Sequence, residues 1–196
     1  MRATLLLITI LFCSATATGA QPDAAAILAK AQALLPGTFD NAAQVAKAPP
    51  GAEQPFPHVT IKIEPTPQKD FSLWHVRIQT DPESTFEQTW AMQTRIEYDG
   101  SGALIPYYQS HQDSVPTAAL FDVKGWLSLE ACALRGTFAP TRLQGFAEGE
   151  PCVAVSMNVG ARRALLPVSF ERGGDWLHVD MNLRGVRTRI DARKTP

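Results

Sequence analysis

The spacing of apolar residues changes once along the chain, from a helical period to a strand period. Before position 36 they recur every three or four residues, which places them on one face of a helix: Ile27, Leu28, Ala31, Leu34 and Leu35. Pro36 and Gly37 are expected to end this helix, because proline cannot continue it and glycine tolerates the positive φ of a helix C-cap. After this point the apolar period falls to two, which is typical of strands. The pattern predicts a short N-terminal helix, as a plug or lid, followed by a sheet.

Short alternating segments then follow one another almost to the C-terminus. The clearest covers residues 86–98, where the even positions are mostly apolar but include Gln88 and Thr94. A turn at 99–102 leads to a partner strand at 103–110, in which Pro106 indicates an edge or a bulge. Further strands are predicted at 59–64, 71–80, 118–123, 126–134, 141–146, 153–159, 164–170, 176–183 and 186–192, with turns at 135–136 and 172–175. Such a series of short strands favours a sandwich or a closed barrel, and closure is preferred because it removes exposed edges.

The composition is that of one ordinary domain: 196 residues, 45% hydrophobic and 19% charged. Residues 1–20 have the features of a secretory signal peptide, with Arg2, an apolar run at 5–12 and a small-residue cleavage site at 15–17 or 18–20. The apolar run is too short to span a bilayer. A lipoprotein signal at Cys13 is the competing interpretation, but bulky Phe12 precedes that cysteine. The prediction is therefore a single domain at residues 21–196, periplasmic or secreted.

The mature chain would keep 17 basic and 19 acidic residues, a net charge of −2. Such a surface offers no electrostatic footprint for nucleic acid, so nucleic-acid binding is not predicted. The chain also lacks the glycine-rich nucleotide loops and the nucleophile elbow of the α/β hydrolases. Its four histidines are scattered singly, so no metal site is predicted. Glycoside hydrolysis would need a pair of carboxylates. Glu87 with Glu97, or Asp113 with Asp122, could form such a pair, but these residues are equally consistent with solvated strand faces.

Two cysteines, Cys132 and Cys152, remain after residue 20 and are expected to be oxidised in an exported protein. A disulfide within one chain and a disulfide between the subunits of a homodimer both agree with their spacing. A reactive thiol would need a neighbouring base, and no histidine lies within twenty residues of either cysteine.

The tryptophans are candidates for either the core or the wall of a ligand cavity. Trp90 shares its face of the predicted strand with Gln88 and Thr94. Ligand cavities are mostly apolar with a few placed polar groups, so this stripe favours the cavity.

The junction between helix and sheet has the pattern Leu-x-Gly-x-Phe-x-Asn-x-x-Gln, formed by Leu35, Gly37, Phe39, Asn41 and Gln44. It resembles the opening signature of the CpcT/CpeT family, the phycobiliprotein chromophore lyases and their bacterial relatives. Residues 131–134 followed by Gly136 resemble the family's Gly-Cys-x-Leu segment, and Gly145 and Cys152 resemble its downstream glycine and second cysteine. Tyr108 matches a tyrosine after the central strand. The resemblance covers most of the mature chain at low density.

The resemblance implies a mainly β, calycin-like (lipocalin-like) antiparallel barrel of about ten strands that binds a bilin or other tetrapyrrole and delivers it to a cysteine of a protein acceptor. No cofactor would be bound permanently, and lyase activity is implied by the resemblance only. The resemblance places Phe86, Gln88 and Tyr108 in the binding region, and the candidate ligand-binding set also takes Trp74 and Trp90 from the aromatic positions described above. The family's Pro-Tyr-Arg-Gln-Arg stretch is Thr85-Phe86-Glu87-Gln88-Thr89 here, so Arg77 or Arg95 would have to replace its arginines as partners of ligand carboxylates. The alternatives are a non-enzymatic carrier of a small hydrophobic ligand and a structural envelope module that dimerises through strand edges or cysteines.

Overall fold

The computed structural model describes residues 23–49, 56–81, 83–109, 117–147, 152, 166–183 and 185–196. Its helices are α1 (Ala24–Leu34) and α2 (Ala42–Val45), with 3-10 turns at Ala118–Leu120 and Glu130–Cys132. Its strands are β1 (Gly37–Asp40), β2 (His58–Pro65), β3 (Phe71–Gln79), β4 (Thr85–Ile96), β5 (Gly102–Tyr108), β6 (Leu127–Ser128), β7 (Leu134–Ala139), β8 (Arg142–Phe146), β9 (Pro167–Arg172), β10 (Trp176–Leu183) and β11 (Val186–Lys194). The predicted strand at 153–159 and the predicted signal peptide lie outside the described residues.

Ten of these strands close into an antiparallel barrel. Each strand from β1 to β5 pairs with the next, β5 pairs with β7, and the series continues to β11, which pairs with β1. The two-residue β6 also pairs with β5, in the same direction as β7. The predicted fold class, a mainly β closed barrel of about ten strands with a short N-terminal helix, is confirmed.

The two ends of the barrel differ in their connections. Short turns at 66–70, 97–101, 140–141 and 173–175 lie at the end where β1 begins, and α1 leads into β1 there after two residues. We call this the helix end. The longer connections, including 41–57, 109–126 and 147–166, lie at the opposite end, which we call the loop end.

Side chains fill the barrel interior by strict alternation along the strands. In β2 the buried positions are Val59, Ile61 and Ile63, and in β10 they are the odd residues 177–183. Because successive side chains point to opposite faces of a strand, one apolar stripe per strand suffices to build the core. Each fully buried aliphatic or aromatic side chain contributes about 1.5–3 kcal/mol of burial free energy.

The N-terminal helix forms and ends for local reasons. Asp23 caps it by accepting hydrogen bonds from the N–H groups of Ala25 and Ala26. Ala31 and Leu35 are 1% exposed and pack against the core. The helix stops before Pro36, as predicted, but Gly37 is not its cap: with φ of 150° it is the first residue of β1. A side chain there would come within 2.9 Å of Lys194 Cε.

The rest of the junction pattern fastens β1 to its neighbours. The Asn41 side chain is fully buried, accepts from the Val59 N–H at 2.7 Å and donates to the Pro57 carbonyl at 3.0 Å. Gln44 donates to the Arg189 carbonyl and accepts from the Asp191 N–H, both at 3.0 Å. These bonds join the start of the sheet to β2 on one side and β11 on the other, so the pattern that resembles the family signature has a structural role in closing the barrel.

Arg172 is buried inside the barrel at the helix end. Arg172 at the end of β9 is 1% exposed and places its guanidinium 4.4 Å from the centre of the Phe39 ring. It also donates to the Trp176 carbonyl at 3.1 Å. Burial lowers the pKa of Arg172 to about 10, with Asp175 opposing the shift. The contact links β9 to β1 across the interior.

The stretch between β5 and β7 departs from the predicted pattern. Residues 118–123 are not a strand: Ala118–Leu120 is a 3-10 turn, and Phe121 packs on the outer wall against Phe71 at 5.3 Å. Residues 126–134 form only the two residues of β6 before a second 3-10 turn. The predicted turn at 135–136 lies inside β7. Pro106 faces this break and accepts from the Leu129 N–H at 2.8 Å, so the predicted interruption there is confirmed.

Candidate functional site

A row of aromatic side chains lines the interior face of β3, β4 and β5. Trp74 and Trp90 are directly opposite in the β3–β4 ladder and are 1% and 0% exposed. The Trp90 and Tyr108 ring centroids are 5.7 Å apart, with the planes inclined by 44°. Trp74 also meets Phe170 of β9 edge-on at 6.4 Å. The row therefore forms a packed aromatic layer inside the barrel.

The two tryptophans differ in their hydrogen bonding. The Trp74 indole N–H donates to Ser72 Oγ at 3.0 Å. The Trp90 Nε1 atom is buried and finds no partner among the described residues, and the same is true of Gln88 Oε1. A buried polar group left unsatisfied costs about 1–3 kcal/mol, so such groups usually meet a ligand or an ordered water. This donor and this acceptor lie two residues apart on one face of β4.

The surroundings of these atoms suit a small molecule. Gln88 is opposite Val76, and Phe86 is opposite Ile78, both apolar residues of β3. β5 pairs with β4 only from Ala91 to Ile96. Within the described residues, the edge of residues 85–90 that faces away from β3 therefore pairs with no strand. Phe86, 37% exposed, stands at this gap near the loop end. Apolar surroundings with a few polar groups are typical of ligand sites, and we call Phe86, Gln88, Trp90 and Tyr108 the β4 site.

The two arginines considered as ligand partners lie on the outer wall instead. Arg77 pairs with Glu87 at 3.5 Å, with both side chains about 60% exposed. Arg95 bonds to Glu97 at 2.8 Å and to Glu130 at 2.7 Å. The carboxylate hydrogen bonds, Glu130 first, raise the pKa of Arg95. The structure thus brings Trp74, Gln88, Trp90 and Tyr108 together inside the barrel and separates Arg77 and Arg95 from them.

One polar constellation on the outer wall could not be read from the sequence. The His75 ring lies 2.9 Å from Thr89 Oγ1 through Nδ1 and 3.0 Å from Glu64 Oε2 through Nε2. Desolvation by burial lowers the pKa of His75, with Glu64 opposing the shift. Cavities of about 830 and 230 Å³ flank it. A neutral imidazole held in this way can accept a proton, but both ring nitrogens already have partners, and the signal lies in the strand register, which pairs His75 with Thr89.

A second outer-wall cluster surrounds His178. Arg189 donates to His178 Nδ1 at 2.8 Å, and the Trp176 ring stacks on the imidazole at 4.5 Å. A cavity of about 270 Å³ borders it, with Glu171 and Asp180 among its lining residues. Each carboxylate there pairs with an arginine: Glu171 with Arg142 and Asp180 with Arg187. This is the arrangement of a solvated, ion-paired sheet face.

The predicted disulfide is confirmed, and it lies within one chain. Cys132 and Cys152 are bonded to each other with a sequence separation of 20. The bond fastens Cys152 to the 3-10 turn that precedes β7. These two sulfurs are therefore neither a thiol nucleophile nor a link between subunits, and a disulfide of this kind is typical of oxidising compartments.

The described part of the chain contains no group of three or more histidine, cysteine, aspartate or glutamate side chains that could hold a metal ion. Over the same residues, no helix has both the length and the apolar character needed to cross a membrane.

In comparisons with known proteins, no family model, no curated protein and no solved structure matches this chain. The closed barrel could hold a ligand, and its chemistry has to be argued from the β4 site.

Proposed function

We propose that this protein binds a planar, amphipathic small molecule in the loop-end half of the barrel, at the β4 site. The observation that supports this most directly is the unpartnered Trp90 Nε1 beside the aromatic row. A flat conjugated molecule could pack against Phe86 and Tyr108, the more exposed aromatic groups of the site, while its polar edge meets Gln88, since aromatic pairs of this kind add about 0.5–1.5 kcal/mol beyond burial.

A bilin or another tetrapyrrole is the ligand we propose first. The resemblance of residues 35–44 to the CpcT/CpeT signature motivates this choice, and the ten-strand barrel agrees with the fold that the resemblance implies. The β4 site contains no cysteine, and the chain's two cysteines after residue 20 are bonded to each other. If the protein assists chromophore attachment, it would therefore hold the ligand in an orientation that lets a cysteine of an acceptor protein add to it.

We further propose that the protein acts in the periplasm or outside the cell. The features of residues 1–20 motivate this proposal, and the disulfide is compatible with it.

A carrier of a neutral lipophile is the second candidate. It is favoured by the positions of Arg77 and Arg95 on the outer wall, because the β4 site then has neither of these cations for a ligand carboxylate. Val76 and Ile78 add aliphatic surface opposite the site.

Titration of the purified protein with biliverdin, followed by tryptophan quenching and the visible spectrum, tests the first proposal. We expect saturable one-to-one binding in the micromolar range. Phe86→Ala should weaken binding about fivefold, because it removes an aromatic contact at the edge of the site. Phe146→Ala is the matched control, since Phe146 is exposed on β8, and it should leave affinity unchanged. Absence of saturation with biliverdin, together with saturable binding of an uncharged fluorescent fatty alcohol, would favour the lipophile carrier.

A further inference from the structure

We propose that Gln88 and Trp90 recognise a cyclic amide in the ligand, a ring in which an N–H group adjoins a carbonyl. The proposal rests on the proposed function and specifies the chemical group that the β4 site selects. It is carried by the two unpartnered atoms: one is a donor, one is an acceptor, and Trp90 is completely buried.

The chemistry of the two side chains fixes what they can bind. An indole N–H can only donate, whereas the oxygen of a glutamine amide accepts. A ring carbonyl would accept from Trp90 Nε1, and the adjacent ring N–H would donate to Gln88 Oε1. A ligand with only one of these groups would leave the other protein atom buried and unsatisfied, which is the arrangement that discriminates most strongly between similar ligands.

The geometry allows both bonds to form at one ring edge. Residues two apart on a strand point to the same face and are separated by roughly 7 Å. The indole of Trp90 contacts Tyr108. The Gln88 side chain has three rotatable bonds, so it can turn its amide toward the ring edge that meets Trp90 Nε1. Trp74 cannot take this role, because its N–H already bonds to Ser72.

This assignment predicts a preference among tetrapyrroles. Open-chain bilins end in lactam rings, whereas a closed porphyrin of similar size and with similar acid groups has none. Other ring amides, such as the isoalloxazine of riboflavin, carry the same edge without being tetrapyrroles. The site should therefore prefer biliverdin to protoporphyrin IX by about tenfold, because a lactam satisfies both buried atoms together and a porphyrin satisfies neither.

The experiment measures dissociation constants of the mature protein for biliverdin, protoporphyrin IX and riboflavin, by absorbance and fluorescence. Trp90→Phe keeps an aromatic ring and removes the donor, and Gln88→Leu removes the acceptor. Both variants should bind biliverdin about tenfold more weakly and protoporphyrin IX as wild type does, so the preference disappears. Trp126→Phe on the outer wall is the control and should keep it. Near-ultraviolet circular dichroism checks that each variant is folded.

The possible results distinguish the cyclic-amide assignment from the broader proposal of a ligand inside the barrel. A biliverdin preference lost in both variants supports the assignment, and saturable riboflavin binding that falls in the same variants extends it to ring amides in general. Equal affinity of wild type for biliverdin and protoporphyrin IX, or a preference that survives in Trp90→Phe, would overturn it while leaving the barrel ligand proposal intact. If none of the three molecules binds, the cyclic-amide assignment and the tetrapyrrole proposal both fail.

Discussion

Asn41 shows how one buried side chain can determine the closure of the barrel. It satisfies a backbone donor of β2 and the carbonyl that precedes this strand, and it contacts Gln44, which in turn binds β11. Because Asn41 is fully buried and its bond with the Val59 N–H is buried as well, no water can replace that bond without rearrangement.

Asn41→Ala should lower the free energy of unfolding by about 3 kcal/mol, because it leaves the Val59 N–H and the Pro57 carbonyl unsatisfied. Urea denaturation measures the change. Asn182→Ala, at an exposed position of β10, is the control and should change stability by less than about 0.5 kcal/mol. Equal effects of the two substitutions would contradict the structural role of Asn41.

His75 should make the protein less stable as the pH falls. Burial lowers its pKa below the unfolded value of 6.5, so the unfolded chain takes up a proton more readily than the folded protein does. The folded state therefore loses stability as the pH drops through 6.5 toward the folded pKa, and it loses nothing from this group above that range. Glu64, whose pKa is lowered first by its hydrogen bond with Lys62, adds a loss in the same direction at lower pH.

His75→Gln removes the titrating group and should flatten this dependence. Urea midpoints of wild type and variant at about pH 7.5 and about pH 5.5 provide the test, and the pair at the higher pH reports any structural cost of the substitution separately. A variant whose midpoint falls with pH as steeply as that of wild type would show that other groups are responsible.

At this scale the sequence shows which side of a strand a residue occupies, but not what the residue meets there. Alternation placed Trp74 and Trp90 on the more apolar faces of their strands, and it placed Arg77 on the face of its strand that does not carry Trp74. The difference between the two indole groups depends on Ser72, which lies near one ring and not the other. Such a difference arises from packing, and no periodicity encodes it.

The segment 118–126, which follows β5, packs against the outside of the barrel, and we call it the outer clamp. Phe121 and Trp126 pack over Phe71 and Leu73, forming a small apolar cluster outside the barrel. The alternating pattern of residues 118–123 predicts a strand, but Ala118 and Leu120 favour helical backbone, and the segment buries Phe121 by folding across the wall. Tertiary packing thus overrides the local period.

Phe121→Ala should destabilise the protein by about 3 kcal/mol, because Phe121 is only 6% exposed and its removal empties the outer cluster. Thermal unfolding monitored by circular dichroism measures this loss. Tyr98→Ala, in the exposed turn between β4 and β5, is the aromatic control and should be nearly neutral. A neutral Phe121→Ala would mean that the clamp does not contribute to stability.

The disulfide is a second stabilising element at the loop end. Replacing both cysteines, as Cys132→Ser with Cys152→Ser, should lower the free energy of unfolding by about 3 kcal/mol through the greater entropy of the unfolded chain. Wild type treated with reductant should unfold at nearly the same urea concentration as the double variant. Mobility as a monomer on a non-reducing gel is expected for wild type, and a covalent dimer that runs through these cysteines would contradict the intrachain bond.

For the whole molecule, closure could be predicted from the number and spacing of strands, whereas the register that closes the barrel could not. Pairing of β1 with β11 joins residues more than 150 positions apart, and it depends on Asn41, Gln44 and Arg172 acting together. The position of the β4 site follows from the same closure, because the ladder between β4 and β5 stops at Ala91. Local sequence patterns carry no information on where a ladder stops.

The proposed ligand would bind inside the barrel at the β4 site rather than on the outer wall. Amide hydrogen exchange of the mature protein, with and without saturating biliverdin, tests this most directly because it locates the protected backbone. A ligand at the β4 site should slow exchange in residues 85–92 and 107–108 and leave β8 to β11 unchanged. Protection confined to the outer-wall cluster around His178, or no protection at all at saturation, would contradict it.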